Sequence, residues 1–117
     1  MYITENFSLP EFECPCCGKA EIVKPFVVIL QAARYLADIP FEINSGYRCP
    51  KHNKAIGSKS TSSHLKGLAA DIGVTNNGAR VVIVRSLLRV GFDRIGMGKT
   101  FIHVDMDNSK PDAMWSY

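Results

Sequence analysis

The chain has 117 residues, enough for one hydrophobic core and too few for two. An apolar content of 46% and a charged content of 21% are ordinary for a globular protein, and no apolar run approaches the length that spans a membrane. The net charge of +3 comes without a basic block or interleaved aromatics, which argues against nucleic acid as a partner and leaves only weak attraction to anionic polymers at physiological salt.

The opening residues, Met1-Tyr2-Ile3-Thr4-Glu5-Asn6, have neither the basic nor the apolar region of a secretory signal, so a protein that is cytoplasmic as synthesised is expected. Glu21 to Ala37 reads as one amphipathic helix: Pro25 suits its first turn, and Phe26, Ile29, Leu30, Ala33 and Leu36 recur at helical spacing. Phe41 and Ile43 alternate with polar neighbours and predict a short strand ending at Asn44-Ser45-Gly46. Residues 50–63 are rich in Lys, Ser, Gly and Thr and read as a loop with one helical turn. Leu68 to Val74 reads as a second strand, with Ala70, Ile72 and Val74 on one face and Asp71 on the other. Asn76 or Asn77 can cap a helix running to about Arg89, with Val81, Val84 and Leu88, and also Ile83 and Leu87, supplying its apolar side. Gly91 is a fitting stop. Phe92 to Met97 and Phe101 to Met106 then predict a hairpin around Gly98-Lys99. Alternation sends Ile102, Val104 and Met106 to the core and leaves Phe101, His103 and Asp105 on the opposite face. This order predicts a single α+β domain over residues 1–117, with a small, mainly antiparallel sheet flanked by helices.

The densest chemistry is split between Ser62-Ser63-His64-Leu65-Lys66-Gly67-Leu68-Ala69-Ala70-Asp71 and Phe101-Ile102-His103-Val104-Asp105. Two imidazoles and a carboxylate form a common ligand set for a catalytic zinc with an open position for water. Along one extended strand His64 and Asp71 would be separated by roughly 23 Å, so a shared ion requires a turn between them. Gly67 permits that turn, and His103 must arrive from a different strand.

The pattern resembles the M15 family of zinc peptidases, the D-alanyl-D-alanine carboxypeptidases and their relatives among phage cell-wall lysins. The motif Ser-x-His-x6-Asp falls on Ser62, His64 and Asp71, and the downstream His-x-Asp falls on His103 and Asp105. Asn6-Phe7-Ser8-Leu9-Pro10-Glu11-Phe12, Ser45-Gly46-Tyr47-Arg48-Cys49-Pro50-Lys51-His52-Asn53 and Met114-Trp115-Ser116 resemble further family segments in the same order. The resemblance implies a hedgehog/DD-peptidase-like fold and a zinc ion on His64, Asp71 and His103, although this ligand set by itself admits other divalent metals. It also implies hydrolysis of peptide bonds in peptidoglycan stem peptides, by a D,D-carboxypeptidase or an endopeptidase. The substrate would be peptidoglycan peptide, the protein a monomer with no membrane or nucleic-acid partner, and delivery to the wall the task of another factor. Arg48 and Ser62 resemble the pair that contacts substrate; a guanidinium can grip a carboxylate or stabilise a developing oxyanion.

One departure stands out. Many members place an acidic residue three positions before the last His, or a His two before it, as general base, and here those positions hold Thr100 and Phe101. Asp105, roughly 7 Å along the strand from His103, is then either the base or the partner that holds the His103 imidazole. The departure also keeps a non-catalytic, metal-containing binding module of the same fold as the alternative. Separately, Cys14-x-x-Cys17 with Cys49-x-x-His52 has the count and spacing of a structural zinc site. Free thiols and a disulfide formed after release are the other readings.

Overall fold

The computed structural model describes residues 1–117. Its elements are helices α1 (Lys24–Ala37), α2 (Pro50–Ala55) and α3 (Asn77–Arg89), and strands β1 (Glu42–Ser45), β2 (Ala69–Gly73), β3 (Arg94–Met97), β4 (Phe101–Asp105) and β5 (Ala113–Ser116). Two 3-10 turns, Leu9–Phe12 and Ser63–Lys66, complete the list. The five strands form one sheet in the order β1-β2-β4-β3-β5. Every neighbouring pair is antiparallel except β3 with β5. The α+β, mainly antiparallel architecture expected from the sequence is the one observed.

Helix α1 starts at Lys24, with Pro25 in its first turn, three residues later than the apolar spacing suggests. The reason is a competing bond: the Val23 amide donates to the Gly67 carbonyl at 2.9 Å, tying the entry segment to another part of the chain. The helix ends where Asp38 turns left-handed (φ 53). It buries Phe26, Val27, Leu30, Ala33 and Ala37, while Leu36 is exposed. Asn76 caps α3 by accepting from the Ala79 amide at 2.7 Å.

The apolar side of α3 is narrower than its sequence suggests. Ile83 and Leu87, one turn apart, enter the core, whereas Val81 and Leu88 are exposed. Two apolar stripes compete on this helix, and packing against α1 and β4 selects the Ile83–Leu87 stripe. Phe26 of α1 meets Phe92 edge-on at 5.8 Å beside it. Beneath the helices lie Ala70, Ile72, Ile95, Ile102 and Val104, all buried on one sheet face. Alternation therefore delivers Asp71 and His103 to the other face, away from the core.

The fifth strand, Ala113–Ser116, is an element that the sequence pattern does not announce: three of its four residues are exposed and they do not alternate. Residues 50–63, expected as a loop with one helical turn, contain the six-residue α2.

Gly67 closes the Ser63–Lys66 turn at φ 69, a left-handed conformation, and a Cβ there would run into the Glu21 carbonyl oxygen. Gly57 shares the conformation (φ 74) with open space around it. The backbone cost of a left-handed L-residue is about 1–2 kcal/mol. Gly57→Ala should therefore lose about that much stability and Gly67→Ala clearly more, as read from denaturant unfolding midpoints; equal losses would show that the Glu21 contact contributes nothing.

Candidate metal centre

Asp71 and His103 are opposite one another on the β2–β4 ladder, so backbone register alone sets their side chains together on the sheet face that lines the groove. His64 comes from the 3-10 turn Ser63–Lys66, whose first amides are capped by Ser62: its hydroxyl accepts from the His64 amide at 3.3 Å. The turn at Gly67 folds this segment back over β2. The His64 Nε2 then lies 3.4 Å from Asp71 Oδ1, and His103 Nδ1 lies 3.0 Å from the same oxygen. One donor atom from each of the three residues falls within 4.8 Å of the others. The three residues singled out by the sequence motif are thus brought together.

Hydrogen bonds on the far sides of both rings decide which nitrogens face inward. His64 Nδ1 lies 2.7 Å from the Gly46 carbonyl oxygen. A carbonyl only accepts, so Nδ1 carries the proton and Nε2 turns its lone pair toward Asp71. His103 lies between two carboxylates, with Nε2 2.7 Å from Asp105 Oδ2 and Nδ1 3.0 Å from Asp71 Oδ1; with its proton on Nε2, toward Asp105, Nδ1 offers its lone pair to the cluster. Asp105 is 1% exposed and fully engaged: it also accepts from Arg94 Nε at 2.8 Å and from the Asp107 amide at 3.1 Å. Of the two roles open to Asp105, this geometry favours holding the imidazole over taking a proton in the groove. Two inward lone pairs, a carboxylate and fixed outer N–H groups fit a divalent ion such as zinc.

The electrostatics follow the same contacts. Burial alone would raise the Asp71 carboxyl, but the His103 and His64 rings beside it, which donate to it whenever their inward nitrogens carry protons, hold it well below the usual carboxylate range. Burial disfavours charge on His103, yet Asp105 and Asp71 on either side of the ring raise its pKa. Asp105 is likewise lowered against its burial, chiefly by His103 and the Asp107 amide.

Around this centre lies an open groove of about 550 Å³. Arg48 reaches Asp71 Oδ2 at 3.6 Å and is braced by Ser45, Asn53 and Ser58, each at 3.3 Å. Burial lowers the Arg48 pKa, with Asp71 acting against it. Ser62 lines the groove as expected, although its hydroxyl is also committed to the cap. Thr100 does not line it, and no Asp or Glu other than Asp71 and Asp105 does. His52 is separate from this centre; its backbone amide donates to Cys49 Sγ at 3.5 Å.

Two further residues at the site carry roles that their sequence segments do not specify, Trp115 from the Met114-Trp115-Ser116 segment and Asp107. Trp115 of β5 packs its ring 5.5 Å from that of His103 and beneath the Arg94 guanidinium, 5.0 Å away. It sits directly over Gly96, where a Cβ would come within 2.6 Å of the indole Nε1. Asp107, 1% exposed, accepts from Ser63 at 2.8 Å and from Lys66 at 3.1 Å, fastening the turn that carries His64. The one cue in the sequence is Asp107-Asn108-Ser109, where the Asp side chain takes the Ser109 amide at 3.2 Å in a local turn.

A donor set of this kind beside a groove is a candidate metal centre, of the kind at which a bound ion can activate water. The family model for Peptidase M15 matches residues 6–105, and the chain belongs to that peptidase family. No curated protein matches the chain. None of its helices is long and apolar enough to cross a membrane.

Asp107 gives a pH test of the scaffold that lies outside the three clustered donors. Burial would raise its carboxyl, but Ser109, Ser63 and Lys66 hold it well below the usual range. A lowered folded-state pKa contributes stability that is present above the unfolded value of about 3.9 and lost as pH falls through the folded one. Asp107→Asn should therefore be less stable than the wild type at pH 7, with the gap narrowing below about pH 4. A gap independent of pH in chemical denaturation would show that the charge on Asp107 is not what fastens the turn.

Proposed function

We propose that the protein is a zinc-dependent peptidase that cleaves peptide bonds in peptidoglycan stem peptides, as a D,D-carboxypeptidase or an endopeptidase, with His64, Asp71 and His103 holding the ion. The observation that carries this reading is the pair of inward-facing imidazole nitrogens beside Asp71, each with its opposite N–H held by Gly46 or Asp105. Held by His64, Asp71 and His103, a zinc ion would supply Lewis acidity toward the scissile carbonyl and toward water.

The chain's own residues supply binding and orientation. Arg48, Lys59, Arg94 and Lys110 line the groove against two carboxylates, Asp71 and Asp105, so its walls favour a ligand bearing negative charge. A stem peptide ending in a free carboxylate has that character. Arg48 is braced on three sides near Asp71 and can present its guanidinium to a substrate carboxylate or to a developing oxyanion. Ser62 can donate its hydroxyl proton to substrate while its oxygen still accepts from the His64 amide. Asp105 acts as a positioning residue: with one oxygen on His103 Nε2 and the other on Arg94, it keeps the His103 proton away from the metal side of the ring. Phe101, Trp115 and Tyr117 give the groove an aromatic wall that excludes water from one side of a bound peptide.

Release of new amines from purified peptidoglycan, lost on chelation and regained with zinc, is the expected result. His64→Ala, Asp71→Ala and His103→Ala should each lose the ion from this centre along with activity. A well-folded, zinc-replete protein that releases no amine would leave the binding-module reading in its place.

Asp105→Asn separates its two roles. As a positioning residue it should weaken zinc affinity by roughly tenfold to a hundredfold, with activity returning at high zinc. Turnover that stays lowered by about two to four orders of magnitude in zinc-saturated protein would instead make Asp105 the base.

A further inference from the structure

Beside the loop that carries Arg48, three of the four cysteines gather from two distant parts of the sequence. Cys14-Pro15-Cys16-Cys17 makes a tight turn: the Cys14 amide donates to the Lys19 carbonyl at 2.7 Å and the Gly18 amide to the Cys14 carbonyl at 2.8 Å. The turn brings the Cys17 thiol back beside that of Cys14. Cys49 arrives from the segment between β1 and α2. The sulfur atoms of Cys14, Cys17 and Cys49 all lie within 4.8 Å of one another.

We propose that Cys14, Cys17 and Cys49, with Cys16 completing the set, hold a structural zinc ion that staples the N-terminal segment to the Arg48 loop. With Zn–S bonds of about 2.3 Å, the edge of a tetrahedron is about 3.8 Å; the Cys14 and Cys49 sulfurs are 3.6 Å apart. Two of the sulfurs already accept backbone N–H groups, as thiolate ligands do: Cys14 from the Cys49 amide at 3.4 Å and Cys49 from the His52 amide at 3.5 Å. Cys16, next to Cys17 in the same turn, is the remaining thiol within sequence reach of the fourth position; like the His52 imidazole, it lies outside the three clustered donor atoms. His52, expected as the fourth ligand from the Cys-x-x-His spacing, enters through its backbone, and its imidazole is not among the clustered donor atoms. A disulfide accounts for the cluster less well. A Cys14–Cys49 bond would use two sulfurs and strand the thiols of the adjacent Cys16 and Cys17 beside it.

The staple has a defined mechanical role. Between Phe12 and Cys14 the N-terminal segment already touches the loop twice, through the Tyr47 amide on the Phe12 carbonyl at 3.0 Å and the Cys49 amide on Cys14 Sγ. Arg48 lies between those two anchors, so an ion on the cysteines fixes both ends of the residue that reaches Asp71. Its ligands are separate from those of the groove.

The test uses the full chain purified under reducing conditions. The wild type should carry about two zinc ions, one of them lost in Cys17→Ser and the other in His103→Ala. After replacement of zinc by cobalt, a sulfur-to-cobalt charge-transfer band should appear in the near ultraviolet, persist in His103→Ala and vanish in Cys17→Ser. Cys17 is exposed, so its replacement by Ser leaves the core intact. In the wild type itself, thiol reagents should react with the cysteines only after chelation, and chelation should lower the melting temperature of His103→Ala protein as well. A single ion retained in Cys17→Ser and lost in His103→Ala, with no charge-transfer band and four freely reactive thiols, overturns the site and leaves the groove centre standing. A single ion lost in Cys17→Ser and retained in His103→Ala does the reverse. A mass two hydrogens short, mapped to Cys14 and Cys49, overturns it in favour of a disulfide.

Discussion

The pairing of β2 with β4 places Asp71 and His103 on the same rung of an antiparallel ladder. Ladder geometry holds two directly opposed side chains within about 5.5 Å, so the separation of carboxylate and imidazole is set by backbone hydrogen bonds rather than by flexible side chains. The flanking residues Ala70, Ile72, Ile102 and Val104 are buried on the opposite sheet face and lock that register. A slip of one residue would turn the apolar set to solvent and bury Asp71 and His103 in the core. Core packing and the candidate metal centre are therefore one constraint seen from two sides of the sheet.

Around this rung the chain commits hydrogen-bonding groups that the core does not need. Gly46 fixes His64, Asp105 fixes His103, and Arg94 fixes Asp105 from the adjacent strand, where the two are ladder partners. Asp107 holds the turn of His64 through Ser63 and Lys66. Each donor of the centre is thus oriented by a neighbour that is itself oriented. That layering brings three residues from a turn and two strands to within a few ångströms of one another.

What was legible in the sequence was what local chemistry determines. Pro25 and the spacing of Phe26, Leu30 and Ala33 announced α1, Asn76 announced the start of α3, and Gly67 the turn between His64 and Asp71. Strand alternation separated Asp71 and His103 from the apolar residues beside them. The less legible parts depend on contacts between distant segments. Either stripe of α3 could have faced inward, and only packing against α1 and β4 decides for Ile83 and Leu87 over Val81 and Leu88. Strand β5 has no pattern of its own and is held by parallel pairing with β3 and by Trp115 between Arg94 and His103. For Asp105, alternation indicates the sheet face but not its contact with the His103 ring, which depends on how the strand twists that side chain toward it.

Trp115 is the chain's one tryptophan, and its ring packs 5.5 Å from the His103 imidazole. Indole emission responds to charge and to quenching groups at that range, and His103 of the candidate centre is one of the two such groups packed on the ring, the other being Arg94. The molecule thereby carries its own optical reporter: occupancy of the groove and changes at His103 register in intrinsic fluorescence without a label. No second indole dilutes the signal, so each spectral shift refers to one known place in the fold.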